Sequence, residues 1–166
     1  MNLRYFHRTA KKNAPRLKKF LKKLDRIVPE DFSKIVKEED EKVWGRTDCT
    51  TCANCCKTMT PIFTPKDTRR IAAHFEMSVK AFTEKWLRQE EDTGDWVNRF
   101  QPCPFLVNDK CSIYAVRPRD CAEFPHHYKR PFDLYNDTFT QNVDKCPATY
   151  RLITALKKRV EAEYEW

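Results

Sequence analysis

Cys49-Thr50-Thr51-Cys52-Ala53-Asn54-Cys55-Cys56 places four thiols within eight residues. Two-residue gaps let a tight loop aim successive thiolates at one point about 2.3 Å away, the zinc–sulfur distance. Thiolates are equally the standard ligands of iron–sulfur clusters. A lone buried cysteine behaves as a small hydrophobe. Here Thr, Asn and Lys57 surround the thiols, and neither a helix nor a strand period explains their spacing. A bond between Cys55 and Cys56 would be a strained vicinal ring, far from ordinary disulfide geometry. The stretch therefore reads as a metal-binding loop, and the rest of the chain has to supply elements that hold it.

Four more cysteines follow, Cys103, Cys111, Cys121 and Cys146. Eight thiols predict two sites of four ligands, or one site plus redox or structural thiols. The side chains of Cys55 and Cys56, being adjacent, tend to diverge. They can serve two close sites, or one can be a ligand while the other stays free. The triad Cys49, Cys52, Cys55 resembles the Cys-x2-Cys-x2-Cys run of bacterial ferredoxins, whose set ends in a cysteine followed by proline. Cys103-Pro104 and Cys146-Pro147 both carry that dipeptide. An iron–sulfur cluster is the first expectation and zinc held by four thiolates the second, since ligand type alone does not separate them.

Outward from the cluster, the pattern predicts a helix-rich α+β fold, a small single domain with a short β-hairpin and irregular metal-binding loops. On the N-terminal side, Leu17, Phe20, Leu21, Leu24, Ile27 and Val28 recur at three- and four-residue spacing, an amphipathic helix over 15–28 closed by Pro29. Residues 31–44 suggest a second helix with Phe32, Ile35, Val36 and Val43 inward. Its Glu38-Glu39-Asp40-Glu41 run is placed to pair with the basic N-terminal arm across an antiparallel turn. After the cluster, Thr64-Pro65-Lys66-Asp67 is a helix start, with Thr64 as cap and Ile71, Ala72 and Phe75 on one face. Ser78 caps a further helix through Val79, Phe82, Trp86 and Leu87, and a loop or short strand surrounds Trp96. Phe105-Leu106-Val107 and Cys111-Ser112-Ile113-Tyr114 flank Asn108-Asp109-Lys110 as a hairpin. Pro118, Pro125 and Pro131 make the next stretch irregular. Residues from Pro147 to about Glu163 form a last helix with Tyr150, Ile153, Leu156 and Val160 inward. The organisation read from this is a helical extension at 1–45, a cysteine-cluster metal-chelating segment at 46–147, and a C-terminal helix at 148–166 packed on it.

Charge is uneven. Nine of the 32 basic residues lie in 1–24, with no acidic residue, and the remainder of the chain carries 23 basic against 24 acidic. Such an arm can attract nucleic acid or anionic membrane by counterion release. A solvated helix face is the preferred expectation, because no aromatic-interleaved nucleic-acid motif accompanies it. The first 28 residues lack the continuous apolar stretch of a secretory signal, so a cytoplasmic protein is expected, and there thiols serve metal or redox chemistry before disulfides. Only Gly45 and Gly94 occur, which argues against a dinucleotide fold or a P-loop. No hydrolase or kinase constellation is visible.

Taken together, the ordered elements resemble the CxxCxxCC cysteine-cluster family of YkgJ-like proteins. The likeness runs from the opening cluster through Asp67 and Arg70-Ile71-Ala72. It continues through Cys103-Pro104-Phe105-Leu106, Cys111-Ser112-Ile113-Tyr114, Arg117-Pro118, Cys121, Phe124-Pro125 and Cys146-Pro147, covering about residues 46–147. The resemblance implies chelation of zinc or iron by the cysteines, without one established reaction. A relative, the flagellin lysine N-methylase, carries a similar cysteine domain, so a protein-modifying enzyme is an alternative. No S-adenosylmethionine motif supports it. The other alternative is a structural zinc module for interaction or metal handling.

Arg117, four residues before Cys121, is a candidate for hydrogen bonds to cluster sulfurs or for holding an anionic group; the plainer reading is that Arg-Pro turns the chain. Tyr114 is expected in the core. His126 and His127 are lesser ligand candidates, since the thiols suffice, and His74 fits a helix C-terminus.

Overall fold

A computed structural model of the chain describes residues 2–129, 132 and 135–165. It is a small, helix-rich α+β domain. Among the described residues it has eight α-helices and two antiparallel hairpins: α1 (Leu3–Leu24), α2 (Phe32–Trp44), α3 (Asn54–Thr58), α4 (Pro65–His74), α5 (Val79–Trp86), β1 (Leu87–Gln89), β2 (Trp96–Asn98), β3 (Leu106–Val107), β4 (Lys110–Cys111), α6 (Arg119–Glu123), α7 (Asn136–Asn142) and α8 (Pro147–Glu163). Two compact units are distinguished within it, residues 1–49 with 125–166, and residues 50–124. Pro131, one of the prolines expected to interrupt the chain, lies outside the described residues.

The first unit is helical. α1 buries Phe6, Ala10, Ala14, Leu17, Phe20, Leu21 and Leu24 and leaves most of its lysines and arginines in water. It begins twelve residues before the expected start, because the Phe6, Ala10, Ala14 stripe extends the same apolar face. It runs through Pro15, which removes one intrahelical donor, and ends at Leu24. Ile27 and Val28 lie outside it and are exposed. α8 packs on α1 and α2, with Leu152, Ile153, Leu156 and Val160 inside. The four apolar residues expected inward on α2 are all buried.

The acidic run of α2 finds other partners than the expected basic arm. Glu38 and Glu39 pair with Arg159 of α8 at 2.5 and 3.3 Å, and Glu39 also with Lys42. Arg159 holds the Glu38 carboxyl below the usual carboxylate range. Asp40 accepts from His127. On α1, Lys18 pairs with Asp144 and Arg16 with Glu161. An antiparallel neighbour is set by helix packing, and α8 lies against α2 where the arm was expected.

The second unit has its own core of Phe63, Ile71, Ala72, Phe82, Leu87, Phe105 and Ile113. Phe82 stacks on Phe105 at 6.2 Å, Phe75 stacks on Phe105 at 5.8 Å, and Trp86 meets it at 5.4 Å. Phe75 is half-exposed at the edge of this stack. Ser78 caps α5 as expected, accepting from the Ala81 N–H. β1 pairs with β2 in the register Leu87 with Asn98 and Gln89 with Trp96. β3 and β4 form the expected hairpin about a short Asn-Asp turn, with shorter strands than expected. Lys110 joins the strand opposite Val107, and Asn108 and Asp109 alone make the turn, at φ 50° and 60°. Asn and Asp tolerate that left-handed conformation better than other non-glycine residues.

Asp67 ties this unit together. It is 1% exposed. One carboxylate oxygen accepts from the Thr64 N–H and hydroxyl, while the Thr64 hydroxyl accepts from the Asp67 N–H, a complete capping box. The other oxygen accepts from Arg70 at 2.6 Å and from the N–H of Arg119, the first residue of α6, at 3.1 Å. Arg70 also donates to the Val116 and Arg117 carbonyls. Burial opposes ionisation of Asp67, but the hydrogen bonds from Thr64, Arg70 and Arg119 outweigh it and hold its carboxyl below the aspartate value of 3.8. Asp67 therefore stabilises the fold above that pH, and the contribution is lost as pH falls through the folded value. Asp67→Ala is expected to cost about 2 kcal/mol at pH 7. In urea unfolding the gap to the wild type should narrow as pH drops below 3.8.

Candidate metal centre

Residues 50–124 carry six of the eight cysteines on several segments, two of which a backbone hydrogen bond joins. In the opening loop, Cys49–Thr51 makes one 3₁₀ turn. Ala53 then takes a left-handed φ of 51°, at a cost of about 1–2 kcal/mol for a residue with a Cβ. That reversal starts α3 and sets Cys55 and Cys56 in its first turn. Their sulfurs stand 4.0 Å apart, a thiol–thiol hydrogen bond without a disulfide.

The second segment enters through the backbone. The Cys103 N–H donates to the Cys56 carbonyl at 2.8 Å, and the Leu106 N–H returns to the Cys103 carbonyl. Cys111 lies on the hairpin that follows, opposite Leu106. Lys57 reaches across to Asp109 in the hairpin turn. Phe105 and Ile113 anchor the hairpin in the core, and Cys103 and Cys111 pack against that core. Cys121 rides on α6, whose start is held by Asp67. Asp120 beside it accepts from the Ile62 N–H at 3.1 Å.

Burial and neighbouring groups push these thiols in opposite directions. The Cys55 thiol hydrogen-bonds Cys56 and, against the opposition of burial, holds it down to about 7, with help from its own backbone N–H and Lys57. Burial pushes Cys103, Cys111 and Cys121 up. Cys56 adds to the rise in all three, and Cys103 and Cys111 add to it at Cys121. Side-by-side sulfurs resist joint ionisation, and a bound cation inverts that balance.

The donor set fits such a cation: soft, partly buried sulfurs with thiolate chemistry suited to zinc or iron. As the side chains stand, no three His, Cys, Asp or Glu donors among the described residues converge closely enough to hold an ion. The thiols are neighbours whose side chains would have to close further to ligate one.

The other candidates are placed as follows. Cys52 lies in the opening loop, partly buried. Cys49, exposed, and Cys146, buried, belong to the helical unit, where Cys146 precedes Pro147 at the start of α8. Arg117 donates to the Tyr114 carbonyl at 2.6 Å and stacks over the Tyr114 ring at 3.9 Å. Its charge also reaches Cys111, where it favours the thiolate. Tyr114 is 50% exposed; the expected core position is corrected, because the turn after Ile113 carries its ring outward under the guanidinium. His127 is buried, with Nδ1 on Asp40 at 2.7 Å and Nε2 on Thr149 at 2.9 Å. Both ring nitrogens are engaged by protein groups, which sets it apart from a ligand. His126 sits at a left-handed φ of 65°, and His74 ends α4. Two residues near the thiols escape the sequence reading. Asn98 is one, since an asparagine in a short strand carries no signal. The other is Asp67 as holder of α6, since only its role as a helix cap is visible locally.

The model of the CxxCxxCC family, described as "Putative zinc- or iron-chelating domain", matches residues 48–147. That is more than half of the chain. The chain belongs to this family. The match begins one residue before Cys49 and ends one after Cys146, so it takes in all eight cysteines. No curated protein and no solved structure matches the chain. For this CxxCxxCC protein the family match gives zinc or iron chelation as the function of the domain.

Reactivity should follow the thiolate population. In the metal-free chain at pH 7, limited iodoacetamide treatment is expected to label Cys56 well before Cys121. Peptide mass mapping over time checks the order, and equal labelling of the two would contradict it.

Proposed function

We propose that this protein holds iron, as an iron–sulfur cluster, on a thiolate set of Cys56, Cys103, Cys111 and Cys121, and that it transfers electrons. What supports the reading is the backbone bond from the Cys103 N–H to the Cys56 carbonyl, with Cys111 on the hairpin that follows and Cys121 on the helix whose start Asp67 holds, so that three separate stretches of chain carry the thiols. Residues 46–147 are its chelating segment, between a helical extension at 1–45 and a closing helix at 148–166. Cys49, Cys52, Cys55 and Cys146 are the reserve ligands, and Arg117 a donor toward the sulfurs.

Within this reading the protein's own groups do definite work. The Cys103-to-Cys56 backbone bond and the β3–β4 hairpin hold three sulfurs in register. Asp67 and Arg70 fix the approach of α6 and so of Cys121. Arg117 offsets negative charge at Cys111. The bound group supplies the electron-accepting centre.

A second reading is a structural zinc site serving an interaction or metal-handling module. The ways in which α3, the hairpin and α6 are joined favour it, since four ligands on those segments would lock a small core. Residues 50–124 hold six cysteines, two more than either a tetrahedral zinc or an iron–sulfur cluster needs. A cytoplasmic setting suits either reading, and among the described residues no helix is long and apolar enough to cross a membrane.

Anaerobic purification with elemental analysis tests both. Iron with acid-labile sulfide and a brown, air-sensitive absorption supports the first reading, and a colourless protein with stoichiometric zinc supports the second. Cys56→Ser and Cys121→Ser should each lower metal content at least several-fold. Full retention of metal in both variants would overturn the ligand set.

A further inference from the structure

The outward face of α1 is a strip of positive charge. Arg4, Arg8, Lys11, Lys12, Lys19 and Lys22 are all exposed. At 3.6 residues per turn they lie within about 100° of the helix circumference, along about 27 Å of its length. Every position of that arc from Arg4 to Lys22 is basic except Pro15. The opposite side is the buried stripe from Phe6 to Leu24. Arg16 and Lys18, at the flanks of the strip, pair with Glu161 and Asp144. Among the described residues the six within it have no carboxylate partner. Glu38, Glu39 and Asp40 of α2, which could have neutralised them, are taken up by Arg159, Lys42 and His127. Like charges four residues apart, such as Arg4 with Arg8 and Arg8 with Lys12, destabilise a helix. An external polyanion would relieve that repulsion.

Two further observations select the polyanion. Tyr5 near one end of α1, and Ile27 with Val28 just past the other, are large apolar side chains left exposed. Tyrosine favours the boundary between lipid and water, and apolar side chains beside a basic surface add to its hold on a membrane. The arc itself carries no Asn, Gln, Ser, Thr or aromatic residue with which to read a base edge or stack on a base. We propose that α1 is a docking surface for a membrane leaflet rich in anionic lipid, its lysines and arginines on the headgroups and Tyr5, Ile27 and Val28 at the boundary with the acyl chains. The apolar stripe of the helix stays in the protein core, so the attraction is mainly electrostatic and the docking reversible. The proposal does not depend on which metal the thiols hold.

The test is flotation of the full chain with phosphatidylcholine vesicles, and with vesicles in which about one-third of the lipid is phosphatidylserine. The expected result is binding to the anionic vesicles only, weakened about 10-fold or more between about 0.1 M and 1 M salt by screening. Lys11→Glu, Lys12→Glu, Lys19→Glu and Lys22→Glu together keep helix propensity and should lower binding about 100-fold, with an unchanged circular dichroism spectrum. Ile27→Ser with Val28→Ser should weaken it several-fold at equal salt dependence. Absent or equal binding of the wild type to the two vesicle types overturns the proposal. So does undiminished binding by either folded variant. Tighter binding to a mixed-sequence DNA duplex than to the anionic vesicles overturns it in favour of a nucleic-acid surface. Glutamine at the same four lysines is the second set; if neither set folds, the lysines serve the fold and the proposal falls.

Discussion

The Cys103 N–H meets the Cys56 carbonyl at 2.8 Å, joining the opening loop to a segment that lies beyond α4, α5 and the β1–β2 hairpin. A backbone bond of this kind has no side-chain signature, yet it decides which thiols can share a site. It sets Cys103 against α3, and the short hairpin then carries Cys111 back to the same place. Once these sulfurs are together, their charge becomes the controlling quantity. Burial makes Cys103, Cys111 and Cys121 resist ionisation, and neighbouring thiols add to it, whereas Cys56 is held down by Cys55. The arrangement gains from a cation in a way that scattered cysteines would not.

Support for those sulfurs comes from apolar packing below and one buried carboxylate beside them. Phe105 and Ile113 tether the hairpin to the aromatic stack. Asp67 serves the start of its own helix and the start of α6 at once. Arg70 completes the clamp by gripping the carbonyls of Val116 and Arg117. The residues grouped with the cysteines in the family resemblance thus have a mechanical role, which is to hold α6 in place. Trp86 and Asn98 keep buried polar side-chain atoms short of partners in the same unit.

Much of the fold was legible because local chemistry fixes it. Thr64 and Ser78 cap their helices as their sequence contexts suggest. Pro147 starts α8, and Asn108-Asp109 turns the hairpin. The errors arose where packing outvoted local preference. Proline disfavours a helix interior, but Pro15 lies inside α1 because the apolar stripe on both sides of it is buried. Ile27 and Val28 continue the spacing of Leu17 through Leu24 but follow the helix end and face solvent. The acidic run of α2 is claimed by Arg159 and His127, partners far away in the chain.

At the site the division is similar. The sequence alone determined that the chain carries a dense thiol loop, that further cysteines follow it in the order of the CxxCxxCC family, and that short capped helices and a hairpin lie among them. Those features depend on spacing and on residues three or four apart. Only the tertiary structure decided that the Cys103 N–H meets the Cys56 carbonyl, and that Asp67 holds the start of α6, the helix that carries Cys121. Cys55 and Cys56, expected to diverge, keep their sulfurs 4.0 Å apart, and what else the loop meets is chosen by long-range backbone bonds and core packing that no local pattern encodes.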